Sequence, residues 1–379
     1  MIEFEFTTTK QLICRPGAAS DVGGVARSLE AGHVLLVTDE AIAGIELHKP
    51  ALESLAGSGV EATVFTGVKA DPPESVVLEA LAIAKEAGVD GVIGFGGGSS
   101  MDVAKVVSLM LNSGESLEEI YGVGKAKGSR LPLIQMPTTA GTGSEVTPIA
   151  IITTGETTKQ GIVAPQLLPD AAILDAELTV GLPPFPTATT GIDAMVHAIE
   201  AFASKRKKNP YSDMLAKEAL RLLARNVVDA VTNGTNVEAR SAMLLGAMMA
   251  GQAFANAPVA AVHALAYPLG GYYHIAHGLT NALVLPHVLE FNEPEAGGLY
   301  AELASVVDPG AQASPETLVA RLRELTANCG LPTRLRDVDI PESDLPKLAR
   351  EAIKHQRLLV NNPREVTERD ALSIYRAAF

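Results

Sequence analysis

Histidines and one aspartate in the second half of the chain have the types and spacing that could bind a metal ion. The segment from Ser241 to Leu289 contains no Asp, Glu, Lys or Arg, so it is typical of a protein core, which tolerates neutral imidazoles better than charges. It holds four of the chain's eight histidines, His263, His274, His277 and His287. Upstream, Asp193 and His197 are four residues apart and would share one face of a helix. Two separate segments therefore offer ligands to one interior metal site.

The uncharged segment is also long enough to suggest a membrane span, because about 20 apolar residues cross a bilayer. Pro258 and Pro268 interrupt it, and the polar residues Gln252 and Asn256 lie within it. We therefore expect buried helices joined by a turn, and no membrane partner.

A second candidate site lies in the first half of the chain, at glycine-rich turns that follow apolar strands. Gly96-Gly97-Gly98-Ser99 comes between a predicted strand and a predicted helix. Glycines let backbone N–H groups approach phosphate oxygens, and a helix N-terminus attracts negative charge. The spacing matches neither the usual dinucleotide fingerprint nor the P-loop, so a plain turn with Ser99 as the helix cap is the alternative. A second turn, from Thr138 to Ser144, adds hydroxyl groups after the next predicted strand.

Asp39 ends the first predicted strand of the same region. A carboxylate at this place could accept a hydrogen bond from a ribose 2′-hydroxyl and would repel a 2′-phosphate. The residue therefore favours NAD over NADP. A helix cap is the alternative interpretation of Asp39.

Alternating strand and helix patterns position these turns, and they predict parallel βαβ units with a ligand at the carboxyl ends of the strands. The strands are predicted over residues 33–37, 62–65, 91–95 and 131–135. After Leu182 a proline-rich segment is followed by helical patterns alone, among them residues 188–203, 211–228 and 237–255. The expected fold is a doubly wound, Rossmann-like parallel sheet domain over residues 1–182 that binds a dinucleotide. A helical, metal-binding catalytic domain is expected over residues 183–379.

The net charge bears on which partners the protein binds, and the cysteine content bears on its cellular compartment. The formal net charge of −14 argues against nucleic acid, and the basic run from Lys205 to Lys208 is expected to be a solvated loop. The only cysteines, Cys14 and Cys329, are predicted to be reduced, which suits a cytoplasmic location. The acidic, alternating residues 1–5 are predicted to form a strand rather than a signal peptide.

Taken in their order along the chain, these motifs closely resemble those of the iron-containing (group III) alcohol dehydrogenases. The resemblance covers essentially the whole chain. Its motifs are Gly96–Ser99 with Asp102, Pro137–Glu145, Thr190–Glu200, His263 through Pro268–Gly271 to His277–Ala282, and Asn362–Arg364. The resemblance implies a metal-dependent oxidoreductase that transfers hydride between a nicotinamide cofactor and a small alcohol, aldehyde or ketone.

The same resemblance implies roles for individual residues. The implied metal ligands are Asp193, His197, His263 and His277; the metal would be Fe²⁺, with Zn²⁺ as the alternative because imidazole-rich sites bind it well. The implied cofactor contacts are Asp39, Asp71, Gly97, Gly98, Ser99, Asp102, Thr138, Thr139, Thr142, Lys159 and Leu182. Phe254 is implied near the nicotinamide, with buried core as an equal alternative, and His274 in the pocket wall. The family also implies a homodimer or higher homo-oligomer, with residues Ile2 to Thr7 as the contact segment.

Two positions depart from the family pattern. Tyr267 replaces a histidine that many members carry four residues after the third ligand, and a phenol with an ordinary pKa of about 10 shuttles protons poorly at neutral pH. We therefore count Tyr267 among the catalytic residues and expect the substrate preference to depend on it. Asp71 replaces an asparagine; it either contacts the nicotinamide-side ribose or simply forms the Ala70-Asp71-Pro72 turn.

Three other functions share part of this pattern. They are a polyol or hydroxy-acid dehydrogenase of the same superfamily, a dehydroquinate-synthase-like lyase, and a metal-dependent hydrolase. The motif from His263 to His277 speaks against the lyase. Binding of NADH would separate a dehydrogenase from a hydrolase.

Overall fold

The computed structural model describes residues 3–155 and 158–379, which form two compact units. The sheet unit comprises residues 8–139, 143–155 and 158–180. The helical unit comprises residues 3–7, 140–142 and 181–379.

The secondary structure of the described residues follows this division, with the strands and α1–α6 in the sheet unit and α7–α15 in the helical unit. The strands are β1 (Gln11–Cys14), β2 (His33–Asp39), β3 (Glu61–Val68), β4 (Gly91–Gly96), β5 (Gly122–Val123), β6 (Leu133–Pro137), β7 (Ile149–Thr154), β8 (Thr158–Val163) and β9 (Ala171–Leu174). The α-helices are α1 (Val22–Ser28), α2 (Glu40–Gly44), α3 (Lys49–Gly57), α4 (Glu74–Ala87), α5 (Gly98–Ser113), α6 (Leu117–Ile120), α7 (Pro184–Ala203), α8 (Pro210–Thr232), α9 (Val237–Asn256), α10 (Ala261–Tyr273), α11 (His277–Val307), α12 (Pro315–Asn328), α13 (Leu345–Ala352), α14 (Gln356–Leu359) and α15 (Glu368–Ala378).

Six strands of the sheet unit form a parallel sheet in the order β1-β9-β6-β4-β2-β3. In β2, Leu35 and Val37 pack in a core with residues of α4 and α5, whereas Val34 and Leu36 pack in a core with residues of α1 and α3. Helices therefore cover both faces, which is why residues 34–37 in the middle of the strand are all apolar. The strand order reverses between β2 and β4, and sheets of this kind bind ligands at the carboxyl ends beside that point. A small sheet, β5-β8-β7, lies in the same unit.

The helical unit is built around α7, which carries Asp193 and His197. Proline occupies its first turn, where a missing backbone N–H is not needed, and 16 of its 20 residues are buried. Gly191 allows α9 to approach closely, since a Cβ there would lie 2.7 Å from the Met243 methyl group. The close packing of these helices makes the surroundings of α7 dry and rigid.

The predicted architecture, a doubly wound parallel sheet followed by a helical region, is confirmed. The structure places β2, β3, β4 and the long helices of the second half within a few residues of their predicted bounds. The uncharged segment forms the later part of α9, all of α10 and the start of α11, so the predicted helices and turn are present. No single helix of the described residues is long and apolar enough to span a membrane; only α9 and α10 taken together, with a bend of 107°, meet the length and composition required.

The prediction of a strand over residues 1–5 is wrong for its described part, residues 3–5, while Met1 and Ile2 lie outside the described residues. Side chains, rather than a neighbouring strand, hold this segment. The backbone N–H and C=O of Thr7 both bond to the Asn256 side chain, at 2.8 and 2.9 Å. Phe4 and Phe6 lie against the Tyr211 ring. Phe4 and Phe6 are therefore held by ring packing, without strand pairing in residues 3–7.

Candidate active site

Asp193, His263 and His277 form a cluster whose ligating atoms all lie within 4.8 Å of one another. The Asp193 Oδ1 atom lies 3.9 Å from His263 Nε2 and 3.8 Å from His277 Nε2. Adjacent ligands of a tetrahedral metal with bonds of about 2.1 Å are about 3.5 Å apart, so these separations suit one cation. Asp193 and His263 are buried, whereas the His277 side chain is 36% exposed and leaves the cluster open on that side.

His197 lies beside this cluster on the next turn of α7 after Asp193. Its ring stacks on the rings of His263 and Phe254, with centroids 4.8 and 4.4 Å away. Its Nδ1 lies 3.2 Å from the Gly141 carbonyl oxygen, which leaves Nε2 as the nitrogen available to a metal. Burial lowers the pKa of His197 to about 4, although Asp193 opposes the shift, so the imidazole is neutral as a metal ligand must be.

Glu200, which the sequence interpretation did not select, orients His263. It lies on α7, one turn beyond His197, and is buried. Its Oε2 accepts a hydrogen bond from His263 Nδ1 at 2.6 Å, and its Oε1 accepts one from the Val262 N–H at 2.6 Å. The carboxylate thus fixes the ring orientation and directs Nε2 at the cluster. Burial disfavours charged His263, but the Glu200 and Asp193 carboxylates together outweigh burial and raise the pKa of this histidine.

Asn281, also not selected from the sequence, caps the cluster from α11. Its Nδ2 donates a 2.6 Å hydrogen bond to Asp193 Oδ1 and lies 3.3 Å from His277 Nε2 and 3.4 Å from His263 Nε2. Its Oδ1 is buried and accepts no hydrogen bond from the part of the chain that the structure describes. An amide with an unsatisfied oxygen beside converging imidazoles and a carboxylate fits a site that holds a cation.

Local sequence signals could have found both residues. Glu200 is seven residues after Asp193, two helical turns along the same face, and an acidic residue on a buried face needs a partner. Asn281 is four residues after His277 at the start of α11. Neither signal names the partner, so both roles became visible only in the folded chain.

The glycine-rich turn of the sheet unit lies at the carboxyl end of β4, next to the ends of β2 and β6. Helix α5 begins at Gly98, and its N-cap, Gly97, forms no side-chain cap. Ser99 is therefore not the helix cap, and the first N–H groups of α5 are available to a phosphate. Gly96 has φ +153°, and a Cβ there would lie 2.6 Å from Ser100 Oγ, so only glycine fits this turn.

The acidic residues proposed to contact the cofactor have partners within the protein. Asp39 ends β2 and caps α2, since its Oδ1 accepts a hydrogen bond from the Ile42 N–H at 2.9 Å. Asp102 accepts hydrogen bonds through both oxygens, one from Ser144 Oγ and one from the Ile151 N–H. Asp71, with φ +50°, pairs with the Lys159 ammonium at 2.6 Å. These aspartates therefore have structural partners: Asp39 caps α2, Asp102 joins α5 to β7, and Asp71 pairs with Lys159.

Four proposed cofactor residues remain, Thr138 and Thr139 in the sheet unit and Thr142 and Leu182 in the helical unit. Thr138 and Thr139 follow β6, where the Thr138 N–H donates to the Gly96 carbonyl and joins the two turns. Thr139 Oγ1 is buried and has no hydrogen-bond partner among the described residues. Thr142 and Leu182 belong to the helical unit, where the Leu182 carbonyl accepts a hydrogen bond from the Arg240 guanidinium.

Comparison with known proteins identifies the family in which such a metal cluster and such a glycine-rich turn occur. Residues 9–176 match the family described as iron-containing alcohol dehydrogenase, and residues 187–379 match the C-terminal region of the Fe-containing alcohol dehydrogenase family. Long-chain-alcohol dehydrogenase 1 from Geobacillus thermodenitrificans is 39% identical over 371 residues, which are 96% of this chain and 93% of that protein.

The chain belongs to the iron-containing alcohol dehydrogenase family. A solved structure of 1,3-propanediol oxidoreductase has a TM-score of 0.96 at 34% identity, with 100% of both chains covered. NAD-dependent methanol dehydrogenase from Bacillus methanolicus is 32% identical over 368 residues, which are 96% of each chain. The family assignment makes the chain an enzyme that interconverts alcohols and aldehydes with a nicotinamide cofactor, and it disfavours the lyase and the hydrolase.

Tyr267, His274 and His287 lie in three different surroundings. The Tyr267 ring lies 5.9 Å from the His277 ring and packs edge-on against His355 at 5.1 Å. His274 is exposed and ends α10 in the left-handed conformation, with φ +54°. His287 lies 3.4 Å from Glu290 in the next part of α11. The four histidines of the uncharged segment therefore occupy different settings, and two of them meet Asp193.

Replacing Glu200 with glutamine should weaken metal binding by about 10- to 100-fold, because the amide cannot accept both hydrogen bonds that the carboxylate accepts. Competition with a chelator, followed by measurement of metal retained per chain, would report this change directly. Glu293→Gln, an exposed substitution on α11, is the matched control and should retain the metal of the unmodified enzyme. Equal metal affinity in both variants would contradict the role of Glu200.

Proposed function

We propose that this enzyme oxidises or reduces a small alcohol–aldehyde pair with NAD, using a divalent iron ion held by Asp193, His197, His263 and His277. The observation that carries the ligand set is the convergence of Asp193 with His263 and His277, with His197 stacked on His263. Three imidazoles and one carboxylate leave room for a substrate oxygen. Zinc would also suit these donors, and the order of metal affinities favours it over iron.

The residues of the chain prepare the site for hydride transfer. When bound, the cation polarises the substrate oxygen as a Lewis acid, and the nicotinamide carries the hydride. Asp193 supplies negative charge: burial alone would raise its pKa, but the three histidines and Asn281 outweigh burial and keep the pKa below the usual value. Glu200 holds His263 in one tautomer, and the buried walls of α7 and α9 exclude water from that side.

We infer NAD rather than NADP from Asp39. Its carboxylate ends β2, beside the reversal of strand order, where a cofactor ribose is bound in folds of this kind. The uncapped N-terminus of α5 would receive the pyrophosphate, with Thr138 and Thr139 on the neighbouring turn. The name of the Bacillus methanolicus relative specifies NAD, which supports the same cofactor here.

Tyr267 is the residue through which we expect the substrate to be selected. The named substrates of the relatives include long-chain alcohols, methanol and 1,3-propanediol, so family membership alone does not select one. Next to His277, the Tyr267 hydroxyl can donate a hydrogen bond to a polar group of the substrate. A water molecule, rather than this phenol, would then relay the proton to solvent.

A cofactor titration tests the proposed function. NADH fluorescence should shift when protein is added, and NADH should bind at least about tenfold more tightly than NADPH, because Asp39 repels a 2′-phosphate. Asp39→Asn isolates the charge, since asparagine can still cap α2, and it should narrow the difference between the two cofactors. If NADH fluorescence does not shift at protein concentrations above the expected Kd, the dehydrogenase proposal is wrong. A screen of short aldehydes, hydroxy acids and diols would then identify the substrate.

We also propose that the enzyme is cytoplasmic and forms a homodimer or larger homo-oligomer. Both cysteines are free thiols, Cys14 exposed and Cys329 buried, which suits a reducing compartment. The segment from Ile2 to Thr7 is the proposed contact, and Ile2 lies outside the described residues. Phe4 is 42% exposed and could pack against a second copy.

A further inference from the structure

Lys105 is fully buried on α5, two turns after the glycine-rich turn that begins this helix. Lysine is almost never buried completely unless its charge is paired, because removing an ammonium from water is costly. Its side chain is among the largest fully buried ones in the described chain. The residue therefore has a specific use inside the sheet unit.

The Lys105 ammonium donates three hydrogen bonds, which use all of its N–H groups. The acceptors are Ser144 Oγ at 2.8 Å, Thr147 Oγ1 at 3.2 Å and the Ile149 carbonyl at 2.7 Å. All three belong to the segment that leads from the second glycine-containing turn into β7. One side chain of α5 thus binds this segment at three successive points.

Asp102, three residues before Lys105 on the same face of α5, also binds the segment that leads into β7. It lies 4.0 Å from the Lys105 ammonium, accepts a 2.7 Å hydrogen bond from Ser144 Oγ and accepts another from the Ile151 N–H. Ser144 Oγ therefore accepts a hydrogen bond from Lys105 and donates one to Asp102. This relay fixes the rotation of its hydroxyl group and makes Ser144 a defined point of attachment.

The electrostatics agree with a paired ammonium. Burial lowers the pKa of Lys105 to about 8, while Asp102 and Glu145 oppose that shift. Lys105 is therefore mainly protonated at neutral pH. Glu145 is buried nearby, and burial raises the pKa of this carboxyl to about 7. The network holds little surplus negative charge once Lys105 is protonated.

The turn from Thr138 to Ser144 is attached at its beginning to the glycine-rich turn and at its end to α5. Near β6, the Thr138 N–H donates to the Gly96 carbonyl, and where the chain re-enters the sheet unit at Gly143, Ser144 is held by Asp102 and Lys105. We infer that Lys105 is a positioning residue for the nicotinamide cofactor. It holds the second turn in register with the N-terminal turn of α5, and thereby sets cofactor affinity without touching the cofactor. This inference rests on the cofactor site proposed above.

The test compares Lys105→Met with Lys105→Arg and with Lys85→Met, an exposed substitution on α4. Lys105→Met has a similar shape but no charge or donors, so Kd for NADH should rise at least about tenfold. Lys105→Arg should recover part of this loss, and Lys85→Met should bind as the unmodified enzyme does. Metal content should stay constant in all three, because the proposed ligands lie in the helical unit. Ser144→Ala removes the Ser144 hydrogen bonds to Lys105 and Asp102 but leaves Lys105 with two of its three acceptors, so it should raise Kd by a smaller factor, and it serves if Lys105→Met does not fold.

The outcomes separate this inference from the proposed function. If the unmodified enzyme does not bind NADH, the proposed function fails and the inference fails with it. If the unmodified enzyme binds NADH and the folded Lys105→Met variant binds equally well, with only a lower melting temperature, Lys105 is structural and the inference alone is overturned. If Lys105→Met does not fold, an unchanged NADH affinity in the Ser144→Ala variant would also overturn the inference.

Discussion

Replacing His263 with alanine is expected to remove the bound metal and to lower turnover by at least about 10³-fold, while NADH affinity changes by less than about twofold. His263 is buried, its Nε2 lies 3.9 Å from Asp193 Oδ1 and its Nδ1 is held by Glu200, so alanine removes an imidazole that is fixed in place at the cluster. The loss of one imidazole also leaves the Glu200 carboxylate buried without its partner, which is unfavourable. Metal per chain, kcat and NADH fluorescence would be measured on the same preparation.

His287→Ala is the matched control, because His287 comes from the same uncharged segment but pairs with Glu290 instead. It should retain metal and most of the activity. Full metal content in the His263→Ala variant would refute the ligand set. Loss of metal in both variants would show that the segment responds to any histidine substitution and would remove the support for a specific ligand.

Gly278→Ala is expected to destabilise the helical unit by about 3 kcal/mol or more and to weaken metal binding. A Cβ at Gly278 would lie 2.1 Å from the Thr189 carbonyl oxygen and 3.3 Å from the Asp193 Cβ. Gly278 follows the proposed ligand His277 at the start of α11, and Thr189 lies one turn before the proposed ligand Asp193 on α7. The added methyl group must therefore push apart the two helices that bring these ligands together. Thermal unfolding and metal content would both report the displacement.

Gly298→Ala, on the same helix, is the control for this substitution. Apart from its chain neighbours and the backbone of its own helix, no described residue places an atom within 4 Å of a Cβ built at Gly298, and Gly298 is exposed. Alanine there should leave metal binding unchanged and stabilise the helix by about 0.5–1 kcal/mol, since glycine is the poorer helix former. Similar melting temperatures for the two variants would contradict the close packing of α7 against α11.

Hydrophobic periodicity predicted much of the fold because it is a local property of the chain. The strands β2 and β4 are continuous apolar runs, and α7, α8 and α9 carry long helical patterns, so each can be recognised without its neighbours. The strands β1 and β9 were not predicted. Each is four residues long, and the pairing of Gln11 with Ala171 joins distant parts of the chain. No periodicity within either segment records that partner.

The candidate site divides in the same way. Asp193 and His197 could be paired from the sequence because residues four apart share a helix face. Composition alone did not separate His263 and His277 from His274 and His287, which come from the same uncharged segment; the family motif made that choice. The structure then placed His287 beside Glu290 and His263 beside Asp193.

The sequence by itself determined the fold class, the family, the reaction class and the residue types that could bind metal and cofactor. Only the tertiary structure decided which side chain orients which. Glu200 meets His263 across 63 residues, Asn281 meets Asp193 across 88, and Lys105 meets Ser144 across 39. A hydrogen bond requires its two atoms within about 3 Å, and the course of the chain between such residues decides whether they come that close. The cluster of His263, His277 and Asp193 is therefore a result of how α7, α10 and α11 pack.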